Sequence, residues 1–69
     1  MVYLLIFLEG GNAIEMWKLT DFIPQIDTLV TLKDGALYKV KALLVHRPPE
    51  DYLRFSQPVI VEVTVTKEE

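Results

Sequence analysis

Residues 27–45, DTLVTLKDGALYKVKALLV, decide the fold. Two apolar runs, Leu29–Leu32 and Leu37–Val45, flank Asp34-Gly35, a dipeptide suited to a tight turn because glycine adopts positive φ freely and aspartate tolerates it. The pattern predicts a β-hairpin with a primed turn. In the second run Tyr38, Val40, Ala42 and Leu44 fall on one face, and Lys39, Lys41, Leu43 and Val45 on the other. The second face therefore begins wet and ends dry.

Outward from the hairpin, Val59–Thr66 alternates strictly. Val59, Val61, Val63 and Val65 form a stripe that belongs inside, with Ile60, Glu62, Thr64 and Thr66 opposite. At the other end Val2–Leu8 is a run of β-formers stopped by Gly10-Gly11-Asn12. Eight apolar residues cannot span a bilayer, the run lacks a basic start and a small-residue cleavage site, and Glu9 interrupts it, so it is read as a strand. Residues 13–19 have mixed polarity, with Ile14, Met16 and Trp17 among Glu15 and Lys18. A short helix capped by Asn12 competes with a strand there; the strand is favoured because two turns are few before Pro24. Residues 20–28 read as a connection whose Phe22, Ile23 and Ile26 tuck over the core.

Five short strands make one all-β domain over 1–66, expected as a partly open, antiparallel barrel, with Lys67-Glu68-Glu69 a solvated tail. Pro24, Asp27, Val30, Leu32, Gly35, Tyr38, Val40, Val45 and His46, followed by a loop and by Val59, Val61 and Val63, resemble the small uncharacterised SH3-like barrels of tailed phages and prophages. The resemblance covers about residues 24–66. It implies a fold and a genomic setting, and no chemistry.

Composition narrows the function. A domain of 69 residues has a small core and marginal stability. Cysteine is absent, so there is no disulfide, thiolate ligand or thiol nucleophile, which fits a reducing, cytoplasmic setting. The single histidine, His46, would need a neighbour such as Glu50, Asp51 or Ser56 to act as a base, and no oxyanion site accompanies it; no catalytic residue, metal ligand or cofactor is expected. A net charge of −3 argues against nucleic acid. A hydrophobic share of 51% exceeds what so small a core hides and points to contact with another protein or another copy.

Three surfaces compete for that role. The long connection between strands four and five carries Arg47, Tyr52, Arg54 and Phe55, residue types enriched in binding hot spots, and is the favoured partner site. Its Arg47 and Arg54 would also suit a phosphate-bearing small ligand at an oligomer interface. On strand one, placing Leu4, Ile6 and Leu8 in the core leaves Tyr3, Leu5 and Phe7 outward as an oligomer interface. Lys39 and Lys41, with Trp17 as a stacking ring, form the alternative surface for single-stranded nucleic acid, although edge lysines also serve to block sheet aggregation.

Overall fold

The computed structural model describes residues 2–46 and 59–68. Five strands, β1 (Tyr3–Glu9), β2 (Asn12–Thr20), β3 (Leu29–Thr31), β4 (Leu37–His46) and β5 (Val59–Lys67), form one sheet in the order β2-β1-β5-β4-β3. The sheet curls into a half-barrel. Neighbours are antiparallel except β1 and β5, which run parallel with Tyr3 opposite Val59 and Leu8 opposite Thr64. The expected all-antiparallel arrangement is corrected to a mixed sheet. The reason lies in β5: its valine stripe is inward along the whole strand, so it is most stable in the middle of the sheet, between β1 and β4.

The concave face is the core. Leu5, Phe7, Val40, Val61 and Val63 are fully buried, and Leu32, Tyr38, Val59 and Val65 nearly so. Tyr3, Trp17, Ile23, Val30, Ala36 and Leu43 pack around them. The orientation expected for β1 is thus reversed: Leu5 and Phe7 point inward and are unavailable as an oligomer interface, while Leu4, Ile6 and Leu8 are half-buried on the outer side. Alternation alone cannot choose between two apolar faces; the aromatic packing of Phe7 against Trp17, with ring centroids 4.7 Å apart, favours Phe7 on the inner side. In the 20–28 connection Ile23 packs on the core and Pro24 is buried, whereas Phe22 is exposed with its ring 6.2 Å from that of Trp17, and Ile26 is exposed.

Three irregularities explain where the sequence pattern blurred. In β2, Phe7 pairs with Glu15 but Leu8 with Ala13, so Ile14 is an extra residue; residues 18 and 19 together oppose Leu4. These bulges break the alternation of 13–19, which is a strand nonetheless. In β4, Val40 pairs with Val65 and Ala42 with Thr64, so Lys41 is the extra residue. The bulge turns the strand over: beyond it Leu43 takes the inward position, and Ala42 and Leu44 move outside. This is the physical meaning of a face that begins wet and ends dry.

The β3–β4 turn also differs from the two-residue primed form. Gly35 N–H donates to Leu32 C=O at 2.9 Å and Leu32 N–H to Ala36 C=O at 3.2 Å, which makes a three-residue loop of Lys33-Asp34-Gly35. Only Gly35 has positive φ, +82°. Asp34 instead accepts from the Ala36 N–H through Oδ1 and from the Tyr38 hydroxyl through Oδ2.

Candidate functional site

Cross-strand partners share a face of the sheet, so the register maps the convex side. Leu4 lies beside Ile60, and Ile60 beside His46; Met16, Ile6, Glu62 and Leu44 form the next row; Ala13, Leu8, Thr64 and Ala42 form a third. Leu44 is 57% exposed, Met16 46% and Ile60 39%, and Leu4, Ile6 and Leu8 are each half-buried with nothing described above them. The result is an apolar band across β2, β1, β5 and β4. Within it the Glu62 carboxylate on β5 bonds the imidazole Nε2 of His46 at the end of β4. Farther along β4 and β5 the same face turns polar with Thr64, Thr66 and Lys39.

Four strands about 4.8 Å apart, over five residues rising about 3.3 Å each, outline a band on the order of 300 Å². His46, Glu62 and Thr64 lie inside that outline, so its apolar part falls below the roughly 300 to 600 Å² of the largest patch on an ordinary monomer, a patch that often has a use. It is well under the roughly 800 Å² each partner gives to a standard-size interface. The band suits a contact of modest affinity.

A second feature is the open seam between the two edges of the sheet. Glu15 projects from β2 toward the β3–β4 turn, where its Oε1 accepts the Lys33 backbone N–H at 2.7 Å and its Oε2 accepts the Trp17 indole N–H. Beside it lies a groove of about 410 Å³ lined by Ile14, Glu15, Met16, Leu32, Lys33 and Asp34. The electrostatics there are acidic. The Tyr38 hydroxyl bond to Asp34, helped by burial and by the charges of Asp34, Glu9 and Glu15, pushes the phenol up to about 12. Its partner Asp34 is held below the usual aspartate value, chiefly by the Tyr38 bond, with the Ala36 N–H and Lys67 assisting against burial.

The residues singled out from sequence are distributed as follows. Arg47, Tyr52, Arg54 and Phe55, and with them Glu50, Asp51 and Ser56, lie outside the described residues. His46 pairs with Glu62 rather than with a nucleophile. Lys39 is half-buried on the convex face and Lys41 is exposed in the β4 bulge, but Trp17 lies on the opposite, concave side, paired with Leu5 and stacked on Phe7. Trp17 and the two lysines therefore do not form one nucleic-acid surface. Among the described residues no group of three or more histidine and carboxylate side chains is placed to hold a metal ion, and no helix is long and apolar enough to cross a membrane.

Sequence reasoning missed Met16, Leu44 and Ile60 as one surface. The signal was available in β4: the order Lys39-Val40-Lys41-Ala42-Leu43-Leu44 shifts phase at Lys41, as a one-residue bulge requires. Comparison with protein-family models, with characterised proteins and with solved structures finds no match for this chain.

Proposed function

We propose that the protein is a non-enzymatic protein-binding module of the small SH3-like kind, and, following the resemblance of residues 24–66, that it is phage or prophage encoded. The observation that carries the reading is the convex apolar band of Leu4, Ile6, Leu8, Met16, Leu44 and Ile60. A small domain with a filled concave core gains nothing from exposing these side chains to water, at roughly 25 cal/mol per Å² of apolar surface left uncovered. A partner that covers them recovers that energy. The modest area favours a heterologous, reversible partner over a permanent homo-oligomer. The His46–Glu62 pair sits inside the band and supplies orientation, because a partner must offer it polar groups or pay for burying it unmatched.

The test is capture from the source cell with immobilised wild-type protein and with Leu44→Lys and Ile60→Lys. We expect a specific protein retained by the wild type and lost with both variants, while Lys41→Glu, off the apolar band, leaves retention unchanged. Light scattering of the free protein is expected to return the 7.9 kDa monomer at micromolar concentration. Retention indifferent to Leu44 and Ile60 would remove the convex face from consideration. A larger mass that falls to the monomer with Leu44→Lys would make a second copy the occupant.

A further inference from the structure

From the seam, which shares Met16 with the convex band and otherwise lies apart from it, we infer a second binding site: the gap between β2 and β3 accepts a short extended polypeptide segment carrying a basic side chain, added as a strand along β2.

Three observations converge on it. Among the described residues β2 and β3 are the two edges of the sheet, each with one strand neighbour, so β2 presents one side of its backbone to the gap. No Cα of β2 lies within 8 Å of a Cα of β3, yet the gap is narrow enough near the turn for one glutamate side chain to cross it and reach Lys33 N–H. Inserting a strand between two others requires two inter-strand spacings, about 9.6 Å, which is the order of span that a glutamate and one hydrogen bond provide. The groove already present, about 410 Å³, lies within the range of small-ligand sites.

The bulges set the length. Between them only Glu15, Met16 and Trp17 keep regular register with Phe7, Ile6 and Leu5. Irregular backbone on both sides stops an added strand from extending, which also prevents open-ended sheet growth at this edge. A three-residue window implies weak binding through main-chain hydrogen bonds, with side-chain contacts to Ile14, Met16 and Leu32 giving selectivity.

Charge chooses the side chain. Among the described residues, Glu15 and Asp34 line the groove and Glu9 is close enough to act on the Tyr38 phenol, whereas the cations are Lys33 on the groove and Lys67 within electrostatic reach of Asp34. Carboxylates outnumber ammonium groups, so a lysine or arginine on the added strand meets a complementary field.

The probe is an acetylated, amidated hexapeptide of alternating lysine and valine, titrated into the ¹⁵N-labelled full chain. We expect saturable shifts confined to the amides of residues 14–17 and 32–35, with slowed exchange along β2. The same peptide N-methylated at alternate backbone nitrogens is expected to bind at least ten-fold more weakly, and a glutamate-for-lysine peptide likewise. Glu15→Gln, which removes the charge and keeps the acceptor for Lys33 N–H but not the one for the Trp17 indole N–H, is expected to weaken the lysine peptide several-fold with the far-UV spectrum unchanged, and Trp17→Phe, which loses only the indole bond, is expected to weaken it less. The inference is overturned by no shift at millimolar peptide, by shifts centred on Leu44 and Ile60, or by equal binding of the N-methylated peptide. Met16 borders both sites, so they are separated by their other residues: capture through the convex face is read at Leu44 and Ile60, and peptide binding at Glu15 and Lys33.

Discussion

β5 and β2 are both nine-residue strands of one sheet, and they solve opposite problems. β5 is central, unbroken in register against β1, and buries all four of its valines. β2 is an edge, carries two bulges against β1, and leaves Ile14 and Met16 exposed. A strand paired on both sides is held by its inward stripe and has little freedom to present anything. An edge strand satisfies half its backbone, so its irregularities cost less and its side chains are free to face outward in two directions. Stability is concentrated in β5 and its neighbours, and both proposed surfaces draw on β2.

The sharpest way to break this contrast is to place a charge on each face of the sheet, inward on β1 and outward on β4. Leu5→Lys buries an unpaired ammonium in the core and is expected to abolish folding, because total stability for a chain of this length is only about 3 to 10 kcal/mol. Leu44→Lys, on the outer face, is expected to stay within about 0.5 kcal/mol of wild type in urea denaturation. Next in size, Phe7→Ala is expected to cost about 3 to 5 kcal/mol, the range for buried aromatic truncation, while Met16→Ala on the edge changes the midpoint little. Equal losses from Phe7 and Met16 would mean that the edge is packed as tightly as the centre.

Smaller effects probe the turn that joins the two walls. Gly35→Ala places a Cβ on a residue with φ of +82° and is expected to cost about 1 kcal/mol through backbone strain alone, since open space surrounds the site. The Tyr38–Asp34 bond gives a pH signature. The folded phenol is pushed up to about 12 from an ordinary 10, so its stabilisation is complete below pH 10 and lost as pH rises from 10 to about 12. Asp34, shifted down, contributes above its ordinary 3.8 and loses that contribution as pH falls through the lower folded value. Tyr38→Phe is expected to flatten the alkaline part of the stability curve, followed by tryptophan fluorescence in denaturant.

The legibility of the chain follows the same division. Every strand was readable from its residue types, and the inward face of β5 was certain because valines alternate with polar or exposed residues there. β1 was not, because both of its faces are apolar and the choice is made by the partners: β5 aligns Val61 and Val63 with Leu5 and Phe7. Parallel pairing of β1 with β5 was invisible for a related reason, since it joins the two ends of the chain and no local turn announces it. The convex band was hidden by one residue, Lys41, whose bulge reassigns every side chain after it in β4. The seam depends on Glu15 meeting Lys33, eighteen positions away, which no spacing rule encodes.

The most direct measurement is photo-crosslinking in the source cell with a benzophenone amino acid placed at position 44 on the convex band and, separately, at position 41 in the β4 bulge. We expect a discrete adduct to a second protein from position 44 and none from position 41. Adducts from position 41 alone, or none from position 44 in protein that is folded and expressed, would contradict a binding role for the convex face.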